Sequence, residues 1–186
     1  EPHPFGARAL KLCDQLIQNF GKGILPLHAM SRVHQWQTHQ RLGPDARHTA
    51  ALMEREKLAV WQRGTATMKQ IGLSGRLQRD AFGYLKINLS GTQTRDLKPF
   101  AGLPVSSLNL WRTRVDDLRP MAGMPLHELY LAYTAVKDLT PLAGRPLQSL
   151  TIAFAPVSDL KPLTGMPLVY LHLSGTQTES LGPLKG

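Results

Sequence analysis

His28, His34 and His39 form the one histidine cluster in this chain, at spacings of six and five residues. Two ligands on one helical face need a spacing of four, as in H-E-x-x-H. The cluster therefore reads as solvated or packed imidazoles and not as a metal site. "HELYL", starting at His127, has His-Glu but lacks a second histidine four residues on. "FGKGIL" puts Lys22 between glycines without the G-x-x-x-x-G-K-[ST] spacing that wraps phosphate. "GLSGR" brings its second glycine one place too early for a nucleophile elbow. Cys13 falls on an apolar stripe and reads as a small core residue. No catalytic constellation, cofactor site or metal site is read from these motifs. The large side chains suited to gripping another macromolecule are Trp111, Arg112, Tyr130, Tyr133, Phe154, Tyr170 and His172. Exposed aromatic residues and arginine dominate binding hot spots. Arg112, Tyr133 and Phe154 follow one another at steps of 21 residues.

That step belongs to a repeat. "LSGTQT" occurs at 89–94 and again at 173–178, a separation of 84, four times 21. Cut every 21 residues from Tyr84, the chain gives five aligned segments. Slot four reads Ile87, Leu108, Leu129, Leu150, Leu171, and slot six reads Leu89, Leu110, Leu131, Ile152, Leu173. Slot fourteen is leucine, slot sixteen proline and slot nineteen glycine in all five. Alternation at slots four to six predicts a short strand with those two slots inward, and slots one, eleven, fourteen and seventeen add to the same core. Slots three, five and seven are expected to face outward on a concave surface, with slot eight at its margin. Asp96, Asp117, Asp138 and Asp159 precede Leu-x-Pro as expected N-caps of a short helical turn.

The L-x-x-L-x-L head and the "VxDLxPLxGMP" tail resemble a leucine-rich repeat of the bacterial, internalin-like variety. The resemblance covers residues 84–186. It implies an α/β solenoid of five turns with a parallel concave sheet, serving as a recognition module. Such repeats usually carry Asn at slot nine. This chain has Thr92, Thr113, Thr134 and Thr176 there, whose hydroxyls can bond nearby backbone, and Ala155, which cannot, so the fourth turn is expected to be slightly irregular or hydrated.

Upstream of Tyr84 the period vanishes. Residues 1–83 read as an α-helical N-terminal domain or cap: one helix through Leu12, Leu16 and Phe20, a second over Leu27–Leu42, a third from the "GPD" start to about Gln62, and a short fourth piece, Thr65–Ile71, as its continuation past Gly64. A cap would cover the apolar end of the first turn; a separate docking or enzymatic role is the other reading.

No apolar run reaches the 18 residues of a membrane helix, and no signal peptide stands at the start. The first residue is Glu, which suggests a fragment or a processed product. One cysteine excludes an internal disulfide and suits a reducing compartment without excluding secretion. The site expected to act is the outward face, holding a protein partner through the aromatic residues named above. The bland alternative is that they cover an edge or pack on a missing part of a longer protein. Residues 1–83 carry 12 Lys and Arg against 6 Asp and Glu, within a net charge of +9, so nucleic-acid binding there is the second reading. A bacterial effector, with an enzymatic helical part and target-selecting repeats, is the third. The last turn shows no capping segment, so its open end is expected to continue in a longer protein or to pair with another chain.

Overall fold

The computed structural model describes residues 43–185. The histidine cluster, Cys13 and the first two expected helices lie outside that range.

In each repeat, two inward leucines separated by one outward residue form a strand too short to stand alone. Neighbouring turns supply what it lacks. Strands β2 (Leu85–Asn88), β3 (Val105–Asn109), β4 (Glu128–Tyr130), β5 (Ser149–Thr151) and β6 (Tyr170–His172) pair in parallel, in chain order. Like slots face each other, as in Leu108↔Leu129 and Leu129↔Leu150. The register shifts only between Leu85 and Lys86, where Leu85 faces Val105. Slots four, six, fourteen and seventeen of the first four turns are buried in one continuous core. In the last described turn Leu171, Leu173 and Leu184 are half-buried and Leu181 is exposed.

Each strand is followed by a three-residue 3-10 turn, the first four being Lys98–Phe100, Arg119–Met121, Thr140–Leu142 and Lys161–Leu163. The aspartates are not the N-caps they were expected to be: leucine holds that position in every turn, and each aspartate acts from one residue upstream. Asp96, Asp117, Asp138 and Asp159 accept the N–H groups of Lys98, Arg119, Thr140 and Lys161 at 2.8–2.9 Å. A 3-10 turn this short leaves its first N–H groups unpaired, and a carboxylate two residues back reaches the first of them. Proline stands at one of the first two helical positions, where it removes a donor that has no partner anyway.

The slot-nine hydroxyls of Thr92, Thr113, Thr134 and Thr176 donate to the slot-six carbonyls of their own turns at 2.7–2.8 Å. Ala155 makes the backbone half of this arrangement alone, its N–H reaching Ile152 O at 3.0 Å. The fourth turn differs in a tight bond from Val157 N–H to Ala155 O at 2.8 Å.

Before the repeats, the third helix and the piece expected to continue it past Gly64 form one element: α1 runs unbroken over Gly43–Gln70. Glycine normally weakens a helix interior. Here Gly64 is buried at the point of closest approach, where an added Cβ would stand 2.8 Å from Leu85 Cδ1 and 3.1 Å from Leu77 Cδ2. Strand β1 (Leu77–Arg79) was not expected. It pairs antiparallel with β2 through a turn that Asp80 organises, accepting from Phe82 N–H, Tyr84 N–H and the Ser106 hydroxyl. Two short alternating runs separated by "DAFG" are a hairpin signal that the period at Tyr84 obscured. Val60 and Met68 of α1 join the core of the array.

Gly64→Leu therefore forces α1 off the first turn. The expected loss is about 1–3 kcal/mol, as for other overpacked cores, while Ala66→Leu on the exposed side leaves the melting temperature unchanged. Equal melting temperatures for the two variants would detach α1 from the array. A second expectation concerns acid. The Arg119 side chain, and then its backbone N–H, hold the Asp117 carboxyl below its usual value. The Thr140 hydroxyl and N–H do the same for Asp138. Carboxyls lowered in the folded state stabilise it above the unfolded value near 3.9, and that stabilisation is lost as pH falls through the lowered values. Below about pH 4 the melting temperature should fall more steeply for the native chain than for Asp117→Asn/Asp138→Asn, in which the amide oxygens still accept. Parallel pH curves would show that the two carboxylates add nothing.

A candidate recognition ridge at the left-handed turn

Past each strand the chain must swing from the sheet into its return. It does so in a β-turn spanning slots six to nine. Slot-nine N–H donates to the slot-six carbonyl, as in Thr92 to Leu89, Thr113 to Leu110 and Thr176 to Leu173. Slot-eight N–H meanwhile donates to the slot-seven carbonyl of the next turn: Gly91 to Trp111, Arg112 to Ala132, Tyr133 to Ala153, Phe154 to Ser174, at 2.8–3.0 Å. Slot eight is position i+2 of the turn, where a type II geometry demands positive φ and favours glycine. The two "LSGTQT" turns comply, with Gly91 and Gly175 both at φ 69°. The three turns between do not. Arg112, Tyr133 and Phe154 hold φ of 52°, 58° and 57°. A side chain in the left-handed region costs roughly 1–2 kcal/mol per residue.

These three residues touch one another. The Tyr133 and Phe154 rings are stacked, with centroids 4.7 Å apart and planes 14° from parallel. The Arg112 guanidinium lies 5.3 Å from the Tyr133 centroid and 4.5 Å from that of Trp111. Trp111 meets Tyr133 edge to face at 6.3 Å. At the other end, the Phe154 ring occupies the space where a Cβ on Gly175 would stand, 2.6 Å from Phe154 Cδ1. One strand spacing separates equivalent slots, about 4.8 Å, which matches the separation that aromatic stacking prefers. The result is a continuous pile from Trp111 to Gly175. It remains open to solvent: Trp111 is 39% exposed, Tyr133 44% and Phe154 52%.

The other residues expected at the site are not in the pile. Tyr130 is half-buried on β4 and borders a hollow of about 580 Å³ at the N-terminal end of the concave face. Tyr170 and His172 are exposed on β6, where His172 Nε2 lies 3.0 Å from Ser174 Oγ. Slot seven is not uniformly outward, because Ala132 and Ala153 are buried, which leaves slot eight as the exposed position of those turns. The hollow adds polar residues that the repeat pattern did not single out: Arg76, Gln78, Lys86, Asn88 and Asn109. Arg76 spans it to donate to Ser90 O at 2.9 Å. Placing Arg76 and Gln78 there required the β1 hairpin, whose signal lay outside the period. "HELYL" gives no catalytic pair: Glu128 accepts from the Ser107 hydroxyl at 2.8 Å. Among the described residues, no group of three His, Cys, Asp or Glu gathers as a metal site, and no helix is long and apolar enough to cross a membrane.

No protein-family model and no curated protein matches the chain. Solved structures do. Internalin C2 of Listeria monocytogenes is 31% identical over 54% of this chain and 46% of its own, with a TM-score of 0.51. Internalin F of the same organism is 27% identical over 51% of this chain and 29% of its own, with a TM-score of 0.49. The chain thus spans less than half the length of either protein.

The left-handed turn makes a stability prediction of unusual sign. At ordinary positions alanine is more stable than glycine. At slot eight both Tyr133→Ala and Tyr133→Gly lose the stack, but only alanine keeps the φ penalty. Tyr133→Gly should therefore be more stable than Tyr133→Ala by about 1 kcal/mol in denaturant unfolding. The ordinary order, alanine above glycine, would mean that the turn relaxes.

Proposed function

The array is an internalin-like leucine-rich repeat, and from that premise we propose that this chain is a protein-recognition module. Residues 84–186 form its five-turn array, and residues 1–83 its helical N-terminal domain or cap. The partner lies along the concave face and its margin, contacting Trp111, Arg112, Tyr130, Tyr133, Phe154, Tyr170 and His172. The observation that carries this reading is the exposed pile on left-handed backbone. Core packing does not need these side chains, and glycine at the same slot in the flanking turns shows that the turn does not need them either. Strain of this kind is tolerated where the side chain has another use. Aromatic residues and arginine, large and stiff once stacked, are what interface hot spots are made of.

Size supports the same reading. Five strands span only about 20 Å, and a standard interface takes about 800 Å² from each partner. A partner seated on this face can hardly avoid the pile. The array presents no visible catalytic constellation, so we assign it binding and not chemistry. The nucleic-acid reading rests on the basic balance of residues 1–83, about half of which lie outside the described range, and no described contact favours it.

The test uses the full chain as bait, with the captured protein identified, purified and titrated. Trp111→Ala and Tyr133→Gly should each weaken binding by about 1–4 kcal/mol, the range of hot-spot residues. Ser90→Ala, in the first "LSGTQT" turn, should leave it within error. Melting temperatures several degrees lower with unchanged affinity would make the aromatic residues structural and refute the site.

A further inference from the structure

We propose that Arg112 is a preset carboxylate fork, and that the segment recognised by this face carries an Asp or Glu side chain next to an apolar one. The inference rests on the recognition reading above and specifies the chemistry of its partner.

It starts from what the pile has left to offer. Tyr133 has Arg112 on one side and Phe154 on the other. Phe154 lies between Tyr133 and the backbone of Gly175. The faces of both rings are occupied, so a sugar ring or a nucleobase finds no open face on them to stack upon. What the pile turns outward is ring edges, the positive end of the aromatic quadrupole, together with a guanidinium. An anionic, planar group fits that surface better than a neutral ring seeking to stack on Tyr133 or Phe154.

Arg112 is also a charge that the fold leaves unused, and unlike Arg114 or Lys137 it is held between rings at the ridge. Its backbone N–H is taken by Ala132 O, but its side chain makes no hydrogen bond or ion pair within the described residues. The carboxylates nearest in sequence are engaged elsewhere: Asp116 with Arg95 at 2.8 Å and Asp117 with Arg119 at 2.9 Å. Across the sheet, Glu128 accepts from Ser107. A guanidinium has five donors in a rigid fork that matches the two oxygens of a carboxylate. An ordinary surface arginine must give up side-chain freedom to use that fork. Arg112 is already held between two rings and on a turn that anchors its backbone to the next strand, so it has less to lose on binding.

The source of the anion follows from the charge column. Slot eight carries one cation, then two aromatic residues, with glycine at both ends. The array as a whole has 10 Lys and Arg against 7 Asp and Glu. A nucleic-acid backbone presents phosphates at regular intervals and is met by rows of cations. One fork beside Tyr133 and Phe154 suits a single carboxylate followed by an apolar side chain, as in a protein segment.

The experiment selects a phage-displayed random dodecapeptide library on the immobilised full chain, and in parallel on Arg112→Gln, Trp111→Ala and Tyr133→Gly. The leading peptide is then synthesised in three forms, with its acidic residue intact, replaced by the matching amide, and replaced by phosphoserine. Affinities are read by fluorescence anisotropy. Peptides selected on the native chain should be enriched in Asp or Glu beside an apolar residue. Arg112→Gln should weaken the acidic peptide about tenfold or more, with the melting temperature lowered only by the small amount that the lost cation–π contacts contribute. The amide peptide should lose the same factor on the native chain and almost nothing further on Arg112→Gln, which is the signature of a direct pair. Selected peptides without acidic enrichment, or losses that simply add, overturn the fork. If those peptides still lose affinity on Trp111→Ala or Tyr133→Gly, the recognition face stands while the fork falls. Indifference to all three variants, or selection of nothing, removes both. A phosphoserine form binding tenfold tighter than the carboxylate form also overturns the proposal, since it makes the ligand a phosphorylated partner.

Discussion

The structure depends on an inability of its smallest part. A single 21-residue turn has two inward strand leucines, a third on its return and a large apolar residue after the proline, with nothing in the same turn to cover them. Burying one such side chain contributes roughly 1.5–3 kcal/mol, and only stacking on neighbours makes that burial possible. Hence the strict register. Leu108, Leu129 and Leu150 sit at one height because any insertion would shift a whole column off its neighbours. The same dependence explains the gradient along the array. At the first turn, α1 and β1 lie against the apolar end, with Met68 and Leu77 buried. In the last described turn the equivalent leucines are only half-buried or exposed.

Polar groups serve the stack by keeping every turn alike. In four of the five turns the slot-six carbonyl takes a threonine hydroxyl from its own turn, and the first four 3-10 turns begin on an aspartate oxygen. These bonds are local, so they repeat with the sequence and do not rely on neighbours. Threonine does with one hydroxyl what the repeat family usually assigns to an asparagine amide. In the fourth turn, alanine shows that the backbone bond alone can hold the corner, with a tighter bond just after it. The corner is robust because the slot-eight N–H is also tied to the next strand.

That tie gives the aromatic ridge its character. Slot eight cannot relax its φ without losing a bond to the neighbouring turn, so Arg112, Tyr133 and Phe154 are held at one height and one strand spacing apart. Stacking returns part of what the backbone geometry costs. Three individually unfavourable residues thus support one another, and the outermost ring rests on a glycine that has no Cβ to displace it. Stability and the proposed recognition meet at the same positions, where a glycine would relieve the turn and erase the surface.

Much of this was written in the period itself. Repeated leucines at slots four, six and fourteen determine the parallel strands and the core, because inward spacing and neighbour stacking are local properties multiplied along the chain. The adjacency of Arg112, Tyr133 and Phe154 follows from the same arithmetic: equal slots lie one strand apart. Tertiary structure decided what the period does not encode. The sign of φ at slot eight comes from the β-turn over slots six to nine, which a bond to the next turn holds in place, and the burial of Ala132 and Ala153 from packing across turns. The unbroken path of α1 through Gly64 depends on the approach of Leu85, and the place of Arg76 on the concave face depends on a hairpin that occurs once. The last two come from contacts made a single time between distant segments, which no repetition in the sequence announces.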